Sequence, residues 1–342
     1  VEDIAVFGAT PTPNQYRYQK AELAAFLHFG INTFNGEEWT PRQVDPAIFT
    51  LNKKVAADSY VKLLKDAGFE RLIVVSKHHD GFQMFKQERS TDVNGDNYGN
   101  DYVWDYGIPR TNYPGDVLED LSAACTAHNM NMGLYLSPWD AAAPHYGYYD
   151  ANGKPTNPAN DALDYNKFYD GHLNWILGSA KYGNNGRFVE VWMDGAKGTG
   201  ADAQDYDFDK WINTIQTRQG KAAGHDDDVL LFGAGKYTTV RWIGNENGLA
   251  PEPCWSKGTA TYNLDGSVSS LNNGGQSGEY YPGIKTGNHW VVPECDARIT
   301  SGWFWSNSKK TPKSLTALRD MYLQSVGRNS VLLLNVPLND QG

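Results

Sequence analysis

The chain is poor in the features that would place it quickly. Its 342 residues include three cysteines, Cys125, Cys254 and Cys295, far apart and odd in number, so neither a disulfide framework nor a CxxC metal spacing follows. No apolar run is long enough to cross a bilayer. No GxGxxG follows the first strand-like run, which lowers a Rossmann-like sheet to a fallback. Positive charge is scarce too: the formal net charge is −10, and without basic runs or a basic amphipathic stretch the sequence argues against nucleic acid and anionic membranes as partners. The chain begins at Val1 without a charged and apolar leader, which leaves a cleaved signal peptide open. A secreted, periplasmic or cell-surface location is favoured over the cytoplasm, and oligomeric state is not legible.

What is abundant is aromatic, with 11 Trp, 20 Tyr and 13 Phe; large flat side chains stack on sugars and build deep pockets, but they also fill cores. Strand-like runs recur at AFLHFGI (25–31), RLIVVSK (71–77), MGLYLS (132–137), FVEVWMD (188–194), VLLFGA (229–234), VRWIG (240–244), HWVVPEC (289–295) and VLLLNV (331–336). Amphipathic helices fit 57–68, 114–129, 164–181, 207–219 and 311–326. Strands alternating with helices pair in parallel, and eight of them predict a (β/α)8 barrel. Between strands five and six, and six and seven, Gly, Asn, Ser and Pro stand where a helix is due, so the barrel is expected to be irregular there. No repeat, tail or linker marks a second domain, and 1–342 reads as one barrel domain.

The alternation of side chains tests this fold. In 25–31 it sends Ala25, Leu27, Phe29 and Ile31 outward and Phe26, His28 and Gly30 inward; in 331–336 it sends Val331, Leu333 and Asn335 inward. In 188–194 the apolar face is Val189, Val191 and Met193, and Phe188, Glu190, Trp192 and Asp194 share the other. Aromatics interleaved with carboxylates suit a lined cavity better than open water.

Active sites of such barrels lie at the C-terminal ends of the strands. There the sequence places His28, then His78, His79 and Asp80, then Tyr135, Trp192, Asp194, Glu246 and Glu294. A retaining glycosidase needs two carboxyls roughly 5 to 5.5 Å apart, one to attack the anomeric carbon and one to protonate the leaving oxygen. Asp194, short and at a strand end, suits the nucleophile; Glu246, longer and on a Gly/Asn-rich loop, suits the acid/base, though turns select such residues for structural reasons as well. Adjacent His78 and His79 diverge on an extended strand and do not make a shared metal site; they are read as hydrogen-bonding groups for hydroxyls. Glu38 and Trp39, in the loop after strand one, offer a polar and an apolar contact. The run Trp303, Phe304, Trp305 reads as part of the wall, with Trp305 as a substrate-binding member and Phe304 in the core. Glu190 points inward below Asp194 and requires a partner.

The segments FLHFGINTF (26–34), EEW (37–39), SKHHDGF (76–82), GLYLSPW (133–139), VWMDG (191–195) and NSVLLLNVP (329–337) resemble, in order and over nearly the whole chain, the α-L-fucosidases of glycoside hydrolase family 29. The resemblance implies a retaining exo-hydrolase of terminal α-L-fucose on a (β/α)8-like barrel, without metal or organic cofactor. Its nucleophile falls on Asp194, and its fucose-binding groups on His28, Glu38, Trp39, His78, His79, Tyr135 and Trp192. RWIGNENG (241–248) and PECDARITSGWFW (293–305) are similar to the branch acting on α1,3/α1,4-linked fucose in Lewis-type glycans, which implies Glu246 as acid/base, with Glu294 second. Many members continue into a β-sandwich after NVP; here it is expected to be absent or cut off. The same side chains would also serve a non-catalytic fucose-binding barrel, or a retaining glycosidase for another sugar.

Overall fold

The computed structural model describes residues 8–275 and 280–342. Helix α1 (Pro13–Ala21) precedes strand β1 (Leu23–Leu27); a short α2 (Asn32–Asn35) and α3 (Ala57–Asp66) lead to β2 (Arg71–Lys77). Helix α4 (Val117–Ala127), β3 (Asn131–Leu136), α5 (Tyr165–Leu177), β4 (Glu190–Trp192), α6 (Phe208–Gln219) and β5 (Leu230–Phe232) continue the alternation. It breaks after β5. Strand β6 (Val240–Trp242) follows a single 3-10 turn, and then come β7 (Lys257–Tyr262), β8 (Val268–Asn272) and β9 (His289–Trp290), a separate antiparallel sheet in the order β8-β7-β9. Strand β10 (Val292–Arg298), α7 (Leu315–Ser325) and β11 (Val331–Asn335) complete the chain.

Eight parallel strands close a barrel in the order β1-β11-β10-β6-β5-β4-β3-β2. All eight expected runs contribute a barrel strand, and the five expected helices are present with trimmed ends. Capping explains the trimming: Asp116, Asp164, Asp207 and Ser314 accept the first free backbone N–H groups and set where α4, α5, α6 and α7 begin.

Two apolar layers follow from strand alternation. Ala25, Leu27, Met132, Leu134, Leu136, Val191, Leu332 and Leu334 face the helices, whereas Phe26, Ile73, Val75, Tyr135, Trp192, Val331 and Leu333 pack inside the barrel. One expected position is corrected. Phe188 lies before β4 begins, outside the pleat that imposes alternation, and packs with the helix-facing layer.

Two further corrections, and one expectation borne out, matter for the site. Helix α1 is not expected from the sequence because it buries chiefly Asn14, Gln15 and Tyr18 and carries little apolar pattern, although Thr12 and Gln15 form a capping box and Pro13 opens the helix. Its Tyr18 closes the bottom of the barrel. The irregular stretch between barrel strands six and seven is the antiparallel insert. Strand β10 runs to Arg298 and not 295, and Glu294 pairs with Val331, the first residue of β11. Among the described residues no helix is long and apolar enough to cross a membrane.

Candidate active site

At the C-terminal mouth of the barrel lies a cavity of about 380 Å³. Nine expected residues line it: His28, Glu38, Trp39, His78, His79, Tyr135, Trp192, Asp194 and Glu246. Trp305 does not; Trp303, two residues earlier, faces the cavity with its ring 5.0 Å from that of His28. Trp139 and Asp296 join the wall unforeseen. A larger cavity of about 980 Å³ opens beside it and shares Trp139, but it carries neither Asp194 nor Glu246, so the smaller one is the one that gathers the candidate carboxyls.

The histidines act as neutral groups. The side-chain oxygen of Asn335 accepts the His28 backbone N–H at 3.2 Å and meets His28 Nδ1 at 2.7 Å, which puts the ring hydrogen on Nδ1 and leaves a lone pair on Nε2. Burial drives the His28 pKa down to about 3. Ser137 donates to the Trp139 carbonyl at 2.7 Å and accepts from His79 Nδ1 at 2.7 Å. His79 Nε2 then offers a lone pair 3.6 Å from Asp194 Oδ2. Burial lowers the His79 pKa against the pull of Asp194. His78 stacks on Tyr135 at 5.7 Å and is pushed well below the ordinary imidazole range, again by burial.

Asp194 stands two residues past Trp192, the last residue of β4. Its Oδ1 accepts the Ala196 N–H at 2.9 Å and its Oδ2 the Tyr135 hydroxyl at 3.1 Å, so the carboxylate is held with one edge toward the cavity. Beneath it Trp192 is stacked between Phe232 at 3.9 Å and Tyr135 at 5.3 Å.

The floor explains the two inward glutamates. Trp192 donates its indole N–H to Glu294 Oε1 at 2.8 Å, and Tyr18 donates its hydroxyl to Oε2 at 2.5 Å. Glu294 is fully buried, and burial with the nearby Glu190 pushes its pKa well up. Glu294 is thus held in the floor and does not line the cavity, against the place of second acid/base candidate that the resemblance implied for it. Glu190 has the partner it requires: Arg71 donates to it at 2.6 Å while lying 3.7 Å over the Tyr18 ring.

Glu246 sits half-exposed in its loop, 3.8 Å from Arg298. Because β10 extends three residues further, the strand-end carboxyl belongs to Asp296, two residues after Glu294 on the same face. Glu38 lines the cavity with both carboxylate oxygens already engaged. It accepts the Trp303 backbone N–H at 2.7 Å and pairs with Lys309, so it ties the first loop to the 300s loop while lining the cavity. Trp39 is exposed at the lip, 5.0 Å from Trp139.

The lining includes no lysine or arginine among the described residues. Neutral imidazoles, carboxyls and aromatic faces suit an uncharged polyhydroxylated ligand with an apolar side, and two carboxyls in unlike settings permit separate nucleophile and acid roles.

Comparison with known proteins agrees with this chemistry. The sequence model of the alpha-L-fucosidase family matches residues 7–225. A Ruminococcus gnavus GH29 fucosidase, solved in complex with fucose, is 52% identical with a TM-score of 0.88 over 98% of this chain and 64% of its own. Alpha-L-fucosidase 1 of Arabidopsis thaliana is 37% identical over 97% of this chain and 56% of its own length; the rice putative alpha-L-fucosidase 1 is 38% identical, over 97% and 55%. The chain thus spans little more than half the length of these plant relatives and under two thirds of the bacterial one. With 219 of its 342 residues inside the family match, the chain belongs to the alpha-L-fucosidase family.

Proposed function

We propose that this chain is a retaining, exo-acting α-L-fucosidase that releases terminal fucose, α1,3- or α1,4-linked, from Lewis-type branched glycans. The observation that carries the reading is the meeting of Asp194, Glu246 and the family-matched histidines and aromatics around one cavity of about 380 Å³, a volume suited to a small ligand. Asp194 attacks the anomeric carbon, forming a C1–Oδ bond as the bond to the glycosidic oxygen breaks and Glu246 gives that oxygen its proton. Water then gives a proton to Glu246 and attacks C1, the ester bond breaks, and β-to-α displacement restores the starting configuration. The neutral histidines accept from sugar hydroxyls, and the indoles supply the apolar wall for the methyl group.

The test is hydrolysis of a Lewis-type trisaccharide, 2′-fucosyllactose and an aryl α-L-fucoside by wild type and Glu246→Gln. Expected is wild-type cleavage of the trisaccharide, reduced by roughly 10²- to 10⁴-fold in the variant, with a smaller loss on the aryl fucoside, whose leaving group needs less proton donation. Cleavage of all three by wild type would remove the linkage assignment and keep the fucosidase. Cleavage of none would return the cavity to a binding role, and turnover with another sugar but not fucose would name a different glycosidase.

His28 supplies a second check. Asn335→Ala removes the group that fixes its tautomer, so KM for an α-L-fucoside should rise about tenfold with kcat affected less, the magnitude of one lost hydrogen bond. An unchanged KM would mean that packing alone orients His28.

A further inference from the structure

A second cavity of about 430 Å³ adjoins the first, and Asp194, Glu246 and Asp296 lie on both walls. Asp296 is the one of the three with no part in the mechanism above. It projects from β10 and is 5% exposed. Trp242 donates its indole N–H to Oδ1 at 2.7 Å, and the residue lines both cavities.

The charges around Asp296 decide its state. Asp194 faces it from the end of β4 and Glu246 from the loop after β6. Glu294 lies two residues below it on β10. The nearest cations are engaged elsewhere. Arg298 pairs with Glu246 at 3.8 Å, and Arg241, on the wall of the second cavity, gives its guanidinium to the carbonyls of Tyr281 at 2.5 Å and Trp255 at 2.9 Å. The histidines across the first cavity are neutral through burial. Asp296 itself is buried, and ionising it would set a second negative charge near that of Asp194 without an ion-pair partner of its own, a cost that a proton removes.

We propose that Asp296 works as a carboxylic acid, the third functional carboxyl of the site, accepting from Trp242 through one oxygen and donating a hydrogen bond from the other to the bound sugar. The assignment rests on the fucosidase reading above. A donor to a sugar hydroxyl complements Asp194 and the Nε2 atoms of His28 and His79, which are acceptors, and is separate from the proton that Glu246 gives to the leaving oxygen. Burial is the main cause that raises the Asp296 pKa to about 8, so the proton is present at neutral pH.

The experiment uses α-L-fucosyl fluoride, whose leaving group departs without proton donation, so the ionisation of Glu246 drops out of kcat/KM. Wild type, Asp296→Asn and Asp296→Ala are compared from pH 5 to pH 10. Expected is a wild-type kcat/KM that declines above about pH 8, and an Asn variant that lacks this decline and stays within about threefold of wild type at pH 7. The amide keeps both the acceptor for Trp242 and a donor for the sugar; Ala keeps neither and should lose at least about tenfold. An Asn variant as impaired as the Ala variant, or one with the wild-type decline, overturns the assignment alone. No fluoride release by wild type at any pH overturns the fucosidase reading and the assignment with it.

Unfolding gives a readout independent of turnover. The folded chain holds this proton to about pH 8, whereas an unfolded aspartate releases it near its ordinary 3.8. Between those values the folded state binds the extra proton, so stability falls as pH rises. Asp296→Asn should flatten that slope, and an unchanged slope counts against the protonated acid.

Discussion

Replacing Asp194 by Asn should lower kcat/KM on an aryl α-L-fucoside by at least ~10⁴-fold, the scale on which removal of a covalent nucleophile is felt. The protein should otherwise survive the change. Asn still accepts the Ala196 N–H that Asp194 Oδ1 now holds at 2.9 Å, and its amide remains beside the Tyr135 hydroxyl, so the melting temperature should move by only a few degrees. Fucose binding, measured calorimetrically, should persist. Asp194→Gly with added azide separates nucleophile from bystander: with the carboxylate gone, azide can attack C1 from the vacated side in one displacement, giving β-fucosyl azide in place of α-fucose. Activity within tenfold of wild type in the Asn variant, or an α-configured azide adduct, would end the double-displacement reading.

The second large effect lies below the sugar site. Arg71→Ala leaves Glu190, fully buried, without the guanidinium 2.6 Å away, and breaking a buried pair from one side costs about 3–5 kcal/mol. It also strips the cation from the face of Tyr18, where it lies at 3.7 Å. Chemical denaturation should report the loss. The paired change Arg71→Met with Glu190→Leu should recover most of it, because two apolar side chains of similar bulk remove the stranded charge together with its partner. A single-variant cost below about 1 kcal/mol, or no recovery in the double variant, would mean that the pair contributes little. Function should follow stability only in part. Tyr18 and Glu294 hold the Trp192 indole from below, so loosening this floor should weaken fucose binding even in buffers where the variant stays folded.

Much of this arrangement was legible from residue order because its causes are local. A strand places i and i+2 on one face whatever surrounds it, so Phe26 and His28, Val331 and Asn335, and Trp192 and Asp194 could be sorted inward before any coordinates. Parallel closure then brings the inward residues at the strand ends to one mouth, which is why nine candidates from six distant segments line a single cavity. The errors have a common cause as well. Alternation places Phe188 inward although it lies two residues before the pleat begins. Glu294 took the place of Asp296 because Pro293 and Cys295 gave no sign that β10 would run on to Arg298, and strand ends are set by pairing with β11. Trp305 took the place of Trp303 because a loop has no period to read; Glu38, by accepting the Trp303 N–H, decides which indole turns in.

The amino-acid sequence by itself determined the eight-strand barrel, the inward and outward faces, the family and the short set of side chains at the mouth, since each depends on periodicity or on motifs contiguous in the chain. Only the tertiary structure decided the rest. The histidine tautomers depend on Asn335 and Ser137, far away in sequence. The capture of Glu294 by Tyr18 and Trp192, and the proton on Asp296 among Asp194 and Glu246, depend on burial and on charges carried by other strands. Protonation and orientation are properties of an environment, and that environment exists only once the barrel has closed.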